Sequence, residues 1–472
     1  MRLLSALANR LWQVSNWWEW KRFSSSLGYL QATQTALLKH SLQVYSQTPW
    51  GRRFGLSEQW SYRDFSREVP LQDYQSLQPF LAASGSLCPE PVKKWEPTGG
   101  STGGSKWIPW TPGLQGQFRR AVAPWVNDMF AQLPILRNGR SYWQLTPQAQ
   151  TSHPSWIETG RTGFQSDGDY LGTVGRMLER LVLVSVEKDS PDFWKRSVAL
   201  LGNASDLRYI SCWSPSFLLV LKKKFEEHLG FWAPRRLWPN LRLISCWTQG
   251  PSATLSPRVR SLFPEVELAG KGLLSTEAVT TIPFQGRYPL AYRSHFFEFL
   301  GTEGVVPAWR LSQGQEYEVI QTTLGGLIRY RSGDLVRVTG FLESVPCLEF
   351  LGRSAVEDRF GEKLAHGFLQ EALNRIPGFA ALSFEDGGYV LFLNEDADSG
   401  FEIVRDALGS VYSYRDCLVL GQLRSLRCFV IQGDPWEQLQ AHLGDDFAGR
   451  KPGVILPEGR WSSKFLGSFR ND

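Results

Sequence analysis

The sequence predicts an α/β fold: a large N-terminal α/β domain built on mixed and parallel sheets, followed by a small, mobile α+β C-terminal domain. Three observations lead there. The chain has 472 residues, 42% of them hydrophobic and 21% charged, and at roughly 100–200 residues per domain this is ordinary globular material for two or three structural units. A near-repeat, LRYISCW at 207–213 and LRLISCW at 241–247, frames a helical run, which is the strand–helix–strand signature of a parallel sheet. Beyond Gly352 the pattern changes to a short helix, a hairpin, a second helix and a strand.

The elements follow in order. In MRLLSALANRLWQVSNWWEWKRF, Leu3, Leu4, Leu11, Trp12, Trp17 and Trp18 give a helix an apolar stripe. Such a stripe could lie in a membrane interface, but stripes of this kind usually face the protein's own core, and that is the expectation here. Asn9 and Arg10 interrupt the apolar run and no small-residue cleavage site follows, so it does not read as a signal peptide. Residues 27–45 read as a helix, 113–131 as another, and SYWQLT at 141–146 as a strand. Ser214 and Pro215 are placed to start the helix SFLLVLKKKFEEHL, which Gly230 stops. After Gly352, LAHGFLQEALNRI sets Leu364, Phe368, Ala372, Leu373 and Ile376 on one stripe. AALSFEDGGYVLFLN turns at Asp386-Gly387-Gly388. A helix near 400–412 and a strand near 423–431 complete a compact unit. The expected division is a large domain over 1–351, a hinge at 352–355 and a cap over 356–472, with a ligand in the cleft between them.

The net charge of +5 is too mild to argue for nucleic acid and suits anionic small molecules. No stretch approaches the ~18–20 apolar residues of a membrane span. Six cysteines, at 88, 212, 246, 347, 417 and 428, form no CxxC pair, and the six histidines are scattered, so no zinc site is legible. Isolated reduced thiols fit a cytoplasmic protein.

Three segments carry chemistry. EPTGGSTGGSKWIPW, residues 96–110, offers bare backbone N–H groups, the hydroxyls of Ser101, Thr102 and Ser105, and the charge of Lys106, a combination that can cradle phosphate. Its spacing is neither GxxxxGK[ST] nor GxGxxG, and a plain flexible loop is the competing reading. KGLLSTEAVTTIPF, residues 271–284, carries Glu277 at the end of a strand-turn. There a carboxylate can hold Mg²⁺ against phosphates, or simply be a solvated turn residue. GGLIRYRSGDLVRVTGF, residues 325–341, places Asp334 in a Gly-Asp turn after a strand, flanked by Arg329 and Arg331. Its oxygens can accept from two ribose hydroxyls, or the turn is structural.

In this order the three segments resemble the adenylate-forming enzymes. The detail resembles the acyl-acid amido synthetases known in plants as the auxin-responsive Gretchen Hagen family: TGGSTGGSKWIPW, LLSTE and YRSGDLVRVTGF, with HFFEFL at 295–300 and LEFLGR at 348–353. The resemblance covers the chain from about residue 27 into the C-terminal domain. It implies the two-domain adenylate-forming architecture. It implies ATP phosphates gripped by Ser101, Thr102, Gly103, Gly104, Ser105 and Lys106, adenine and α-phosphate contacts from Ser275 and Thr276, and Mg²⁺ on Glu277. It also implies a ribose clamp at Asp334, Arg353 beside the hinge, and Lys363 and Lys464 as lysines of the mobile domain, the latter reaching into the site. Two departures stand out: Leu273 sits where the family has an aromatic residue near adenine, and the loop ends in GGSK where many relatives carry an acidic or extra residue; the match at Lys464 is also loose, since the Pro-Arg expected after it is replaced by Phe465, Leu466 and Gly467.

The reaction implied is ATP-dependent ligation of a small carboxylic acid to an amino acid. The carboxylate attacks the α-phosphate, pyrophosphate leaves, and the mixed anhydride meets an amine. Both reactants of the first step are anionic, so the protein's work is positioning and charge neutralisation, with Lys106, Lys363 and Lys464 as the catalytic cations. No side-chain nucleophile is required. An acyl-CoA synthetase and a catalytically inactive nucleotide-binding relative are the alternatives. The helix after the glycine-rich stretch is expected to line the acyl pocket, with Arg119 or Arg120 facing the acid. Trp107, Trp110, Trp125 and Trp143 suggest an apolar or aromatic acyl group, or serve the core.

Overall fold

The computed structural model describes the chain apart from residues 1, 84–86, 89, 99–105, 144–153, 155–156, 158–180, 185, 187–189, 191, 355, 358–359, 361, 363, 395–396, 445–446, 448–454, 457–459 and 471–472. Its strands run in chain order as β1 (Lys94–Pro97), β2 (Trp107–Trp110), β3 (Arg140–Trp143), β4 (Leu183–Val184), β5 (Leu207–Ser211), β6 (Leu243–Cys246), β7 (Glu267–Gly270), β8 (Phe296–Gly301) and β9 (Gly304–Pro307). They continue as β10 (Glu316–Thr322), β11 (Tyr330–Leu342), β12 (Val345–Arg353), β13 (Val356–Glu357), β14 (Leu364–Ala365), β15 (Ala380–Glu385), β16 (Gly388–Leu393), β17 (Arg424–Ile431) and β18 (Gly467–Phe469).

The near-repeat forms the centre of a parallel sheet of order β4-β3-β5-β6-β7, with Ser211 beside Ser245. The crossover helix is Ser216–Leu229, one residue later than its Ser-Pro start suggests, and Gly230 ends it in the left-handed region at φ 77°. Alternation divides the sheet's side chains between two cores. Trp143, Tyr209 and Leu243 face a cluster shared with the helix Pro112–Gln132, through Phe118, Trp125 and Phe130. Tyr142, Ile210, Ile244 and Leu268 face a second cluster with Phe217, Phe225 and Val259. Both faces of a parallel sheet must be covered, which is why its strands read as apolar runs.

A second sheet, of order β12-β11-β10-β8-β9, is antiparallel throughout. Here the structure corrects one expectation. Asp334 is not in a turn after a strand but inside the continuous strand β11. Glu318 pairs with Leu335 and Ile320 with Arg331, so Ser332, Gly333 and Asp334 bulge opposite Val319. Gly333 takes φ 77° to make the bulge, and Ser332 Oγ donates to the Val319 carbonyl at 3.0 Å.

The C-terminal sheet has order β15-β16-β17-β18. The expected hairpin turns at Asp386 (φ 53°) and Gly387 (φ 81°), both left-handed as a two-residue hairpin requires. β17 joins β16 in parallel, a crossover that needs the intervening helices Ala397–Ser410 and Tyr412–Val419. One face of this sheet closes on the helix His366–Asn374. The other, through Phe379, Phe392, Phe429 and Trp461, joins the second cluster of the parallel sheet. Arg258 also reaches Asp434 across this contact at 2.5 Å.

The helix Arg2–Ser25 docks on the core through Ala8, Trp12 and Phe23, and Trp12 meets the edge of Trp143 with ring centroids 5.6 Å apart. The expectation of a core-facing stripe holds for one face only. Leu3, Leu4, Leu11, Trp17 and Trp18 of that stripe are exposed. All six cysteines are free and buried. They are not all isolated, because the repeat sets Cys212 against Cys246, whose thiol is pushed up by that contact and by burial.

Candidate active site

The glycine-rich stretch is the connection of a two-stranded ribbon. β1 and β2 pair antiparallel with Pro97 opposite Trp107, and at the base Thr98 N donates to the Lys106 carbonyl at 2.8 Å. Lys106 N in turn donates to Thr98 Oγ1 at 3.3 Å. Ser101, Thr102, Gly103, Gly104 and Ser105 lie outside the described residues, as does Lys363.

Lys106 opens a cluster that sequence separation hides. Its Nζ donates to Tyr330 Oη at 3.0 Å. Tyr330 begins β11, four residues before Asp334, and is fully buried. Burial first, then the carboxylates of Glu277 and Asp334, hold its phenol far above the usual range and keep it protonated. Asp334 is 3% exposed and pairs across the register with Arg353, whose Nε stands 3.2 Å from Oδ1. Asp334, with Glu277 adding to it, raises the Arg353 guanidinium's affinity for its proton. Tyr74 completes the wall: its Oη donates to the Trp107 carbonyl at 3.0 Å and accepts from Trp107 N at 2.8 Å. Its phenol is raised by burial and by Glu277.

Glu277 is therefore the shared neighbour of Tyr74, Tyr330 and Arg353. It sits in a tight turn closed by Ser275, whose N donates to the Ala278 carbonyl at 3.0 Å while its Oγ accepts from Ala278 N at 3.3 Å. Thr276 is half-buried beside it. Glu277 as a residue is 5% exposed, and among the described residues no hydrogen bond or ion pair of its carboxylate is seen. A buried carboxylate in that condition suits a cation. Among the described residues no group of three or more His, Cys, Asp or Glu side chains could form a metal cage, so any ion here takes most of its ligands from elsewhere.

Other predicted residues fall away from this cluster. Arg329 turns inward, at φ 45°, and forks onto the buried Glu298 at 3.0 and 2.9 Å. Arg331 forks onto Glu318 at 3.0 and 2.6 Å. Both arginines brace the sheet. Lys464 lies on the face of Trp461, 4.3 Å from the ring centroid, and its carbonyl is bonded to His442. Arg119 is exposed. Arg120 sits between Glu19 and Arg293, where burial first lowers the affinity of its guanidinium for a proton.

Two features escaped the sequence reading. A narrow cleft is lined by Trp247, Thr248, Gln249, Ser252, Gly272, Leu273 and Phe350. The departure at Leu273 thus shares its cleft with two aromatic rings, Trp247 after β6 and Phe350 in β12. The second is Lys271, 2% exposed, just past the carboxyl end of β7. Its Nζ donates to Ser211 Oγ at 2.6 Å and lies 4.7, 5.6 and 5.8 Å from the ring centroids of Trp213, Trp125 and Trp143. Ligands of open parallel sheets bind outside the carboxyl ends of the strands. The signal available in sequence was the lysine heading the KGLLSTE segment.

Comparison with known proteins identifies the family. Residues 19–230 match the GH3 family N-terminal domain and residues 288–353 the GH3 family central domain, together more than half of the chain. A probable indole-3-acetic acid-amido synthetase GH3.6 of Oryza sativa subsp. japonica is 30% identical over 176 residues, which is 33% of this chain and 35% of that protein. The chain therefore matches about a third of the length of this relative. Indole-3-acetic acid-amido synthetase GH3.15 of Arabidopsis thaliana is 22% identical over 405 residues, 68% of each chain. The solved structure of AtGH3.15 acyl acid amido synthetase in complex with 2,4-DB superposes with a TM-score of 0.77 at 17% identity, covering 96% of this chain and 95% of that one. The described fold and the two matched domains, one carrying the glycine-rich ribbon and the other the Tyr330–Asp334–Arg353 group, place this chain in the Gretchen Hagen (GH3) family.

Proposed function

We propose that the chain is an ATP-dependent acid–amino acid ligase of the adenylate-forming type. The observation that carries this reading is the convergence of Lys106, Glu277, Asp334 and Arg353 on Tyr330. One ligand lying across that wall would meet a cation at the ribbon base, an unengaged carboxylate and an arginine-braced carboxylate. ATP presents phosphates, a metal and a ribose diol in the same succession. The names of the curated relatives, amido synthetases of indole-3-acetic acid, supply the reaction class.

In this reading Lys106 and the backbone of 101–105 bind the phosphates. Glu277 would hold Mg²⁺, which when bound supplies charge neutralisation on the phosphate oxygens. Asp334, oriented by Arg353 at 3.2 Å, accepts from the ribose hydroxyls. The adenine would lie against the mouth of the cleft beside Leu273, where Trp247 and Phe350 offer the apolar rings that position lacks. Tyr330, held protonated, orients Lys106. The acid's carboxylate attacks the α-phosphate with pyrophosphate leaving, and the amine of an amino acid then displaces AMP. Arg353 lies in the hinge, and rotation of the cap about 352–355 would bring Lys363 or Lys464 to the site between the two steps. The tryptophans around Lys271 support an aromatic or apolar acid. Six cysteines without a CxxC fit a reducing, cytoplasmic setting.

The test is acid-dependent exchange of labelled pyrophosphate into ATP across a library of carboxylic acids, followed by mass spectrometry of products formed with amino acids or with coenzyme A. Exchange with an aromatic acid and an amide product are expected. A thioester product, or ATP binding without exchange for any acid, would defeat the proposal.

A further inference from the structure

The helix Arg2–Ser25 carries its polarity the wrong way round for a surface helix. Ser5, Asn9 and Asn16 face inward, where Asn9 Nδ2 donates to the carbonyls of Arg137 and Gly139 at 2.9 and 2.8 Å. The outward face is apolar: Leu4, Leu7, Leu11, Val14 and Trp18 are 58, 58, 51, 67 and 63% exposed. A helix apolar on both faces has two apolar environments. One is the core beneath Trp12 and Phe23. The spacing of the outer stripe keeps it in one line from Leu4 to Trp18, on the order of 21 Å at 1.5 Å per residue.

The charges along this line choose the occupant. Arg10, Lys21 and Arg22 are exposed beside it. The one acid of the helix, Glu19, is turned in, with 23% of its side chain exposed and an ion pair to Arg22 at 3.2 Å. A second copy laid on the same face would bring basic residues against leucines or against one another, with no exposed acid to answer them. Anionic lipid answers them all. Trp17 and Trp18, in edge contact at 5.0 Å with Lys21 Nζ over both rings at 5.0 and 5.9 Å, form the apolar-bodied, polar-tipped group that settles at headgroup depth.

We infer that the outward face of this helix is a docking surface for an anionic lipid bilayer, with the leucines and Trp18 in the acyl boundary and Arg10, Lys21 and Arg22 at the headgroups. Among the described residues no helix is long and apolar enough to cross a membrane, so the contact is peripheral.

Co-sedimentation of the full chain with vesicles tests this. Phosphatidylcholine vesicles containing phosphatidylglycerol should pull the protein down at low salt, and pure phosphatidylcholine should do so at least tenfold less. Added salt should weaken the pelleting, as screening requires. The triple variant L7Q/L11Q/V14Q, whose sites are all more than half exposed, should lose at least tenfold in partitioning while keeping its unfolding midpoint. Three results would overturn the inference. They are protein left in the supernatant with anionic vesicles, pelleting unchanged in the triple variant, or a dimer by light scattering that the same substitutions convert to monomer.

Discussion

At the scale of single residues, Glu277 and Asp334 are both buried carboxylates, but they are held differently. Asp334 has Arg353 at 3.2 Å, whereas Glu277 has no partner of that kind among the described residues. A carboxylate left unengaged in a buried turn is costly unless a cation visits it. Glu277→Ala and Asp334→Ala are each expected to lower pyrophosphate exchange more than tenfold, about 1.4 kcal/mol in the barrier. The two should separate in their metal response: raising Mg²⁺ should partly restore neither Asp334→Ala nor its KM for ATP. The apparent Mg²⁺ requirement should rise in Glu277→Asp. Unchanged exchange in both alanine variants would remove these residues from the mechanism.

At the scale of elements, the bulge in β11 decides where Asp334 points. Ser332, Gly333 and Asp334 stand opposite Val319 alone, so the strand kinks locally where Asp334 leaves it. Gly333 makes this possible at φ 77°, and a Cβ there would meet only Ser354 Oγ, at 3.4 Å. Gly333→Ala is therefore not a clash but a conformational strain of roughly 1–2 kcal/mol. Chemical denaturation should register a loss of that size. Exchange activity should fall by more than the stability loss explains, because relief of the strain turns Asp334 away from Arg353. A variant with wild-type activity would show that the bulge does not set the carboxylate.

At the scale of the whole molecule, His295 ties the Glu277 turn to the core. It is fully buried, its Nε2 accepts from Val279 N at 3.3 Å, and burial first, then the Arg120 charge, depresses its pKa to about 3. An unfolded histidine titrates near 6.5. The folded protein thus refuses a proton that the unfolded chain accepts. The stability this contributes is complete above pH ~6.5 and is lost as the pH falls from there towards 3, at up to about 1.4 kcal/mol per pH unit for the one proton. Denaturation free energies measured from pH 8 to 4 should decline through that window, and His295→Gln should flatten the upper part of the decline. A curve that stays level down to pH 4.5 in the wild type would contradict the burial of a neutral imidazole.

The sequence by itself determined the parallel strands, because both faces of such a sheet must be apolar and the ISCW repeat shows it. It also determined the Asp386–Gly387 hairpin, whose turn tolerates few residues, and the family, because YRSGDLVRVTGF and LLSTE are contiguous patterns. What it left open depends on contacts between distant segments. No local pattern says that Lys106 will bond Tyr330, that Arg329 will brace Glu298 rather than face a ligand, or that Asp334 lies on a bulge rather than in a turn. Nor could periodicity tell which side of the helix Arg2–Ser25 meets the core, since both sides are apolar. Those outcomes were decided by tertiary structure. Burial makes a charge seek its partner wherever the chain has brought one, and no spacing rule in sequence records that search.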